Sequence, residues 1–504
     1  MAAIAPAAPE LSGSEHLAAR FGTAFAASGM LEVAAAALRL HHRRQLDGSP
    51  WLSVGPRSLR LQPEGPAQPA LWLSEAVNHR SRNESELPRL LCFAGPDRVE
   101  VIARLRQINR PQEQPSGHSN LQATALQETP LAGPARLILV TTDADFDRVK
   151  ARAIAHLESG APAGTGIHFA ERLTGGEIAF VFAGAGASYA GMGRDLLLHL
   201  PQLVAALAKR SKRLTTALEW AYVDGHQPSA IEQLWGASAL SQLHLELSRG
   251  VLGLQPDAWL GYSSGETNAL FAAGIWTDAD ELMDDSEETG LMTHSLGGEF
   301  SAVERCWRQP VNWASFTVLA SPEEVREAIG NAAKVHLAIV HSDSECLIAG
   351  DASGCARVVE KLGASRCVRL SYPLAVHVPE LREVGDQWLA LHRRPTFVDT
   401  PGRIYSNALG RSYAPDAEAC ARAILDQATQ TLDLRPAILS AWNDGVRVFI
   451  EHGPGGSYSR AIRSVLGDRE ALIVNLDRKG QGIEGVLNAV AKHAANRARV
   501  TATR

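Results

Sequence analysis

The stretch WLGYSSGETNALFAAG, Trp259 to Gly274, sets a serine between two glycines. Its apolar lead-in, Trp259–Tyr262, reads as a short strand, and Glu266–Ala273 reads as a helix. A strand ending in Gly-x-Ser-x-Gly reverses sharply into a helix, and the glycines remove side chains that would clash at the reversal. Ser263 then stands at a helix N-terminus, where free N–H groups can hold an oxyanion. The implied chemistry is nucleophilic attack by a hydroxyl on a carbonyl carbon. The competing reading is a polar residue in an ordinary loop; the strand and helix on either side favour the nucleophile.

A serine hydroxyl needs a base. The chain has 17 histidines. His244 in LHLEL and His336 in VHLAIV fall in regular elements and read as packing or surface residues, and His41 and His42 at a basic helix end read as solvated. His377 lies in SYPLAVHVPEL, where Pro373 and Pro379 disfavour helix, so it is expected in a loop leaving a strand end.

These groups need a scaffold. Units of buried strand, glycine-rich turn and helix begin at EIAFVFAGAGASYAGMGRDLLLHL and recur at DAWLGYSSGE, which argues for a parallel sheet with helices on its faces. ALSQLHLELSRGVLGL between them reads as an amphipathic helix. Trp313–Tyr372 reads as β-α-β-β-α-β, a split βαβ or ferredoxin-like unit inserted into the larger α/β domain. Its first helix has Ser321 as N-cap, Pro322 at the first position and Glu324 closing a capping box. VHLAIV and ECLIAG are its two central strands, around a polar turn His341–Ser344. The larger domain resumes through RIYSNAL and VRVFIEHGPGG and ends in a helix from about Gly482 to Ala494. Upstream, SGMLEVAAAALRLHHRR predicts one strong helix, and the Pro/Ser/Gly-rich stretch after Asp47 reads as irregular linker. A small α/β unit follows, with strands RLLCFAG and ARLILVTT, two helices, and a loose polar loop from Asn109 to Pro134.

The chain of 504 residues is too long for one ordinary core, and a formal charge of -6 gives no reason to expect nucleic acid. Cysteines 92, 306, 346, 355, 367 and 420 form no C-x-x-C pair, so neither a metal site nor a redox motif is expected, and free thiols in a reducing compartment are. No signal peptide is evident, and no apolar run approaches the ~20 residues that span a bilayer. A cytoplasmic protein is expected. Gly184-x-Gly186 after a strand loosely resembles a dinucleotide loop, but the third glycine is displaced and no acidic residue follows a second strand, so nucleotide binding is set aside.

Taken together, the motifs resemble the acyltransferase domains of modular polyketide and fatty acid synthases, in the malonyl-CoA:acyl-carrier-protein transacylase superfamily. AFVFAGAGASYAGMGRDL is similar to that family's opening strand and oxyanion loop, and GYSSGE to its Gly-His-Ser-x-Gly-Glu motif. AVHVPEL is similar to its histidine segment, YSNALG to a later strand and turn, and VFIEHGPGG to its Gly-Pro-Gly turn; NLDRKG resembles a stretch near the end of such domains. The resemblance covers about Glu177 to Ala494. It implies Ser263 as nucleophile, His377 as general base and later acid, and the backbone N–H groups of Ser264 and Ala185 as oxyanion hole. It implies a residue whose carbonyl orients the histidine, for which Gln427 is the candidate. It implies no permanently bound cofactor: the substrates would be acyl-CoA or phosphopantetheine thioesters, and the partners an acyl carrier protein and other domains of a multidomain synthase.

Three departures from the pattern stand out. Tyr262 replaces the histidine before the serine and would flank the substrate pocket. Ala185 replaces a glutamine, but the group used there is a backbone N–H. Malonyl-selective members carry an arginine about 25 residues after the serine, to clamp the malonyl carboxylate in a bidentate fork; here that position, also assigned to the pocket, is Glu288. No Lys or Arg occurs between Glu266 and Glu304, and DADELMDDSEETG reads as an acidic solvated face. Malonyl is therefore not the expected acyl group, although Arg305, Arg308 or a cation remote in sequence could restore it.

GTAFAASGMLEVAAAALRLHHRR resembles the last helix of a ketosynthase, with Thr23 near where an active one carries histidine; this implies an inactive, chain-length-factor type. Residues from about 85 to 175 resemble the ketosynthase-to-acyltransferase linker. The combination looks most like polyunsaturated fatty acid synthases, then enediyne-type and other iterative synthases. The expected division is 1–50 ketosynthase remnant, 51–175 linker, 177–302 with 373–494 large subdomain, 303–372 small subdomain and 495–504 tail. Transfer of a non-carboxylated acyl group is the leading expectation. Hydrolytic off-loading of a finished chain, ordinary malonyl loading and a catalytically idle docking module are the alternatives.

Overall fold

A computed structural model describes residues 28–42, 51, 57–61, 71–74, 88–108, 133–398 and 401–496. Thr23, most of the Asn109–Pro134 stretch and the last eight residues lie outside the described residues. In chain order the first elements are α1 (Ser28–His42), β1 (Ser58–Leu61), β2 (Leu71–Ser74), β3 (Arg89–Gly95), α2 (Arg98–Gln107), β4 (Ala135–Thr141), α3 (Phe146–Ser159) and β5 (Ile167–Ala170). The stretch expected to be irregular thus contains two strands: β1 and β2 pair antiparallel, and Leu59 and Leu61 pack with Ala36, Leu40 and Trp51. Each strand is only 4 residues long among Pro, Ser and Gly, so no period-2 pattern could develop. Strands β3, β4 and β5 form an antiparallel sheet, with α2 and α3 packed through Val101, Leu105, Val149 and Leu157.

The large body contributes β6 (Glu177–Phe182), α4 (Arg194–His199), α5 (Gln202–Leu207), α6 (Ala230–Leu245), β7 (Ala258–Gly261), α7 (Gly265–Ala272), α8 (Ala279–Thr289) and α9 (Ser301–Trp307). The inserted unit is β8 (Trp313–Val318), α10 (Pro322–Ile329), β9 (Val335–Ser342), β10 (Glu345–Asp351), α11 (Ala352–Leu362) and β11 (Cys367–Arg369). The large body resumes with α12 (Gly385–His392), β12 (Arg403–Ser406), β13 (Arg411–Tyr413), α13 (Ala417–Thr429), β14 (Leu432–Asp433), α14 (Arg435–Asn443), β15 (Val446–His452), α15 (Ser457–Leu466), β16 (Leu472–Asn475) and α16 (Gly482–Asn496).

The large sheet runs β13-β12-β7-β6-β15-β16, parallel at every pairing except β12 with β13. Successive residues of β6 serve opposite faces: Ile178, Phe180 and Phe182 join one apolar cluster, Ala179 and Val181 the other. Burial on both faces is why the strand reads as a continuous apolar run. Helix α6 is a correction. It is buried almost all round from Gly236 to Leu245, because α7, α5, the Ala185–Ala187 turn and β15 surround it. It therefore has no wet face and no amphipathic pattern.

The inserted unit has the strand order β11-β8-β10-β9, antiparallel throughout, as the ferredoxin-like reading requires. Ser321 Oγ accepts from Glu324 N–H, Glu324 accepts from Ser321 N–H at 3.0 Å, and Pro322 fills the first turn. Two details differ from expectation. Strand β14 of the large body adds a fifth, parallel strand beside β9. Strand β9 also runs through His341 and Ser342, leaving only Asp343 and Ser344 in the turn.

Candidate active site

Ser263 follows β7 at the C-terminal edge of the parallel sheet, where open α/β sheets place their ligands. Its φ is 57°, a left-handed conformation uncommon for a residue with a side chain. The flanking glycines are required by space. A Cβ on Gly261 would lie 2.0 Å from the Glu266 nitrogen, and one on Gly265 would lie 2.1 Å from the Phe182 oxygen. Backbone strain of this kind costs on the order of 1–3 kcal/mol and persists where its surroundings over-determine it.

Ser263 Oγ lies 2.7 Å from His377 Nε2, and His377 Nδ1 lies 2.7 Å from the Gln427 carbonyl oxygen. The last carbonyls of a helix lack intrahelical partners. At the end of α13, Gln427 carbonyl takes the imidazole, and Ala428 carbonyl accepts from His377 N–H at 2.7 Å and Val378 N–H at 3.2 Å. The loop histidine is therefore pinned by its backbone and its ring together, at a φ of 62°. Held this way, the ring carries its proton on Nδ1 and leaves Nε2 to accept the serine's. The negative helix end also favours an imidazolium when one forms. The Gln427 side chain reaches back, donating from Nε2 to the Ser263 carbonyl at 3.3 Å. Burial pushes the His377 pKa down to about 4; the Gln427 carbonyl opposes the shift and nearby His341 adds to it. The imidazole is therefore neutral at pH 7, the state in which it can accept a proton.

Ala185 sits in the turn Ala185–Ala187 after β6, and its N–H donates to Ser264 Oγ at 3.0 Å. Ser264 heads α7 beside the nucleophile. The Ala185 N–H is thus occupied by the Ser264 hydroxyl, which ties the turn after β6 to the start of α7.

Two pairs escape a reading of the sequence. Tyr262 Oη and His341 Nε2 lie 2.7 Å apart, which ties the nucleophile turn to the small subdomain. Glu266 Oε1 accepts from Asn407 N–H and Asn407 Nδ2, each at 2.6 Å, while Asn407 Nδ2 also donates to Gly261 carbonyl at 2.7 Å. Burial raises the Glu266 pKa to about 8 against those hydrogen bonds. The motifs GYSSGE and YSNALG contain Glu266 and Asn407, but no spacing in the chain says that they meet.

Two cavities open on the dyad. A cleft of about 260 Å³ between the subdomains is lined by Tyr262, His341 and Leu370, with Glu345 and Arg460 paired at 3.2 Å on its wall. A second cavity of about 60 Å³ is apolar, with Leu282, Met292, Trp388 and Ile424 among its walls and no Lys or Arg among the described residues lining it. His392 lines it as a neutral ring, its pKa pushed down to about 4 by burial.

Glu288 does not reach either cavity; it is exposed on α8. A pocket role for it is corrected, because an α-helix turns about 100° per residue and Leu282 and Ser286 hold the buried face. Nor is the acidic run merely solvated. Asp280 accepts from Lys212 N–H and Arg213 N–H, Asp284 and Glu287 pair with Arg213, and Glu281 and Asp285 hold buried Arg394. Arg305 pairs with Glu383, and neither Arg305 nor Arg308 lines the apolar cavity.

The family model described as "Acyl transferase domain" matches residues 179–500. A polyunsaturated fatty acid synthase polypeptide from Thraustochytrium sp. is 22% identical over 480 residues, covering 82% of this chain and 23% of that protein. A conidial pigment polyketide synthase from Pestalotiopsis fici is 25% identical over 317 residues, covering 60% of this chain and 14% of that one. The chain thus spans less than a quarter of the length of these relatives. Among solved structures, the acyltransferase domain from module 8 of the salinomycin polyketide synthase aligns with a TM-score of 0.64 at 18% identity, covering 82% of this chain and 96% of that domain. A malonyl-CoA:acyl carrier protein transacylase from Xanthomonas oryzae aligns at 0.52 and 22% identity, over 63% of this chain and 99% of its own. These likenesses show a shared fold.

Proposed function

Because the chain belongs to the acyl transferase domain family, we propose that it moves an acyl group between thioesters through an acyl-Ser263 intermediate. The observation that carries this reading is the 2.7 Å contact from Ser263 Oγ to His377 Nε2, with the opposite ring nitrogen on the Gln427 carbonyl. Ser263 Oγ attacks the thioester carbonyl carbon as its proton passes to His377 Nε2. The carbonyl π pair moves to oxygen, and the Ser264 and Ala185 N–H groups hold that charge. The Ser264 hydroxyl, resting on Ala185 N–H, must turn aside for it. Collapse breaks the C–S bond, and the leaving thiolate takes the proton from His377. A second phosphopantetheine thiol repeats the steps in reverse, giving up its proton to His377 and restoring Ser263.

The acyl group is non-carboxylated in this reading. Each charged hydrogen bond that a malonyl carboxylate fails to make costs about 1.5–3 kcal/mol, and the apolar cavity offers no cation. Arg394, the buried guanidinium held against α8, is already paired with two carboxylates. The relatives are multidomain synthases, so an acyl carrier protein and neighbouring synthase domains are the proposed partners. The proposed division keeps 177–302 with 373–494 as the large subdomain and 303–372 as the small one. No described helix is long and apolar enough to cross a membrane.

Competition among malonyl-, acetyl- and hexadecanoyl-CoA for transfer to a carrier-protein thiol tests the proposal. Acetyl or hexadecanoyl transfer is expected to exceed malonyl transfer at least tenfold. Dominant malonyl transfer would refute the carboxylate argument, and free acid as the main product would make off-loading the activity.

A further inference from the structure

Behind the apolar cavity lies a third, of about 310 Å³, bounded by α5, α6, α7 and α8. Trp235, Ser238 and Thr267 line both, so the partition between them is one layer of side chains thick. The helices explain the alignment. Trp235, Ser238 and Gln242 on α6 are spaced by three and four, as are Ser264, Thr267 and Phe271 on α7, so each set forms one stripe on its helix. The α7 stripe starts beside the nucleophile and ends in the distal cavity, a rise of about 10 Å at about 1.5 Å per residue.

Volume decides what each cavity can take. An apolar cavity of about 150 Å³ accommodates benzene. The proximal space of about 60 Å³ is under half of that and suits an acyl group of two or three carbons; the distal one, at about 310 Å³, is about twice the benzene-sized volume. Asn268 lines the distal cavity with its Nδ2 buried and without a hydrogen-bond partner. That donor calls for an acceptor such as water, so room remains at this point of the cavity beside any apolar occupant. Leu207, Phe271, Trp276 and Met283 give it apolar walls, while Lys209, Arg210, Ser211, Gln242 and Thr277 also line it.

We propose that the distal cavity receives the tail of a long aliphatic acyl chain esterified to Ser263, with Trp235 as the side chain that swings to join the two spaces. This rests on the acyl-transfer reading above and names its substrate class: an unbranched, non-carboxylated acyl chain of about eight carbons or more, by the length of the α7 stripe. The cleft, with its Glu345–Arg460 pair, is left for the thiol arm that delivers or collects the chain.

The test uses the full chain and three probes: acetyl-CoA, hexadecanoyl-CoA, and hexadecanoyl-CoA bearing a diazirine at its terminal carbon. In wild-type protein the photoactivated tail is expected to cross-link to peptides carrying Leu207–Leu214 or Phe271–Met283. Cross-links on Leu347 or Leu370, in the cleft, would overturn the assignment. Met283→Trp, which fills the distal cavity, should lower the ratio of hexadecanoyl to acetyl acylation of Ser263 at least tenfold. A ratio unchanged in a variant with a wild-type thermal melt would also overturn it; if that variant does not fold, the cross-link on wild-type protein decides. Acylation of Ser263 by acetyl but never by hexadecanoyl groups would remove the tail site alone. No acylation by either would remove the acyl-transfer reading beneath it.

Discussion

The two sides of Ser263 are built from different materials. Around the hydroxyl itself, backbone supplies most of the groups: the Ala185–Ala187 turn, the turn after β7, and the carbonyls at the end of α13 that hold His377. Toward the apolar cavity, side chains from five helices, α6, α7, α8, α12 and α13, form much of the wall. In the proposed mechanism the chemistry is placed by loops at strand ends, where local rules of glycine, φ and helix termini hold. The proposed selectivity is placed by tertiary packing, where a substitution changes one wall and leaves the dyad standing. A change on the first side should affect every acyl group alike; a change on the second should alter ratios between them.

The largest effect is expected on the first side. His377→Ala should slow acylation by roughly 10²–10⁴-fold for acetyl and hexadecanoyl donors equally, measured by single-turnover labelling. Unequal losses would mean that the imidazole also contacts the acyl chain. On the second side, Met292→Arg brings a guanidinium into the apolar cavity. One charged hydrogen bond of about 1.5–3 kcal/mol corresponds to roughly a 10–100-fold rise in the malonyl-to-acetyl labelling ratio. An unchanged ratio in a folded variant would show that the malonyl group lies elsewhere.

The pH profile separates the base from its surroundings. With the His377 pKa near 4, acylation should stay flat as pH falls from about 7.5 to about 5.5, and a limb near 6.5 would contradict the burial of the ring. Stability behaves otherwise. His244 and His452, near 3, and His341, His377 and His392, near 4, are all held neutral by burial, whereas in the unfolded chain they titrate near the ordinary histidine value of 6.5. The unfolded state therefore binds more protons between about pH 6.5 and about pH 4. The stabilisation is complete above about 6.5 and is lost as pH falls through that window, at up to about 1.4 kcal/mol per pH unit for each histidine. Urea midpoints at about pH 7 and about pH 5.5 check this; equal midpoints would refute it.

Smaller effects come from the supports. Asn407→Ala keeps the backbone N–H to Glu266 but removes the Nδ2 donor to the buried carboxyl and to the Gly261 carbonyl, and should lower stability by about 1–3 kcal/mol, read from the urea midpoint. Gln427→Ala keeps the carbonyl that holds His377 and removes only the 3.3 Å bond to Ser263. It should cost acylation no more than about tenfold, the worth of one ordinary hydrogen bond. A loss as large as that of His377→Ala would show that the side chain, and not the carbonyl, positions the ring.

This contrast also explains what can be read from the chain. The inserted β-α-β-β-α-β unit is legible because its signals are local: Ser321, Pro322 and Glu324 begin a helix within four residues, and VHLAIV and ECLIAG form a hairpin across a short turn. The nucleophile turn is legible through its local pattern, since Gly261 answers to the Glu266 nitrogen a few residues on, although Gly265 answers to the Phe182 carbonyl on a distant strand. The Tyr262–His341 and Glu266–Asn407 pairs are not legible, because they join positions 79 and 141 residues apart and depend on sheet order. Glu288 shows the same limit from the other side: counting from Ser263 gives a position in sequence, and only the packing of α8 decides which residue turns inward. Helix α6 hides its role because burial on all sides erases the periodicity that reveals a helix face.

Everything in the scheme requires that one hydroxyl carry the acyl group. Incubation with acetyl-CoA, an acid quench, digestion and mass spectrometry would map the adduct. A single acetyl group is expected on the peptide containing Ser263, absent in Ser263→Ala and sharply slowed in His377→Ala. An adduct that persists in Ser263→Ala, on any other side chain, would contradict it.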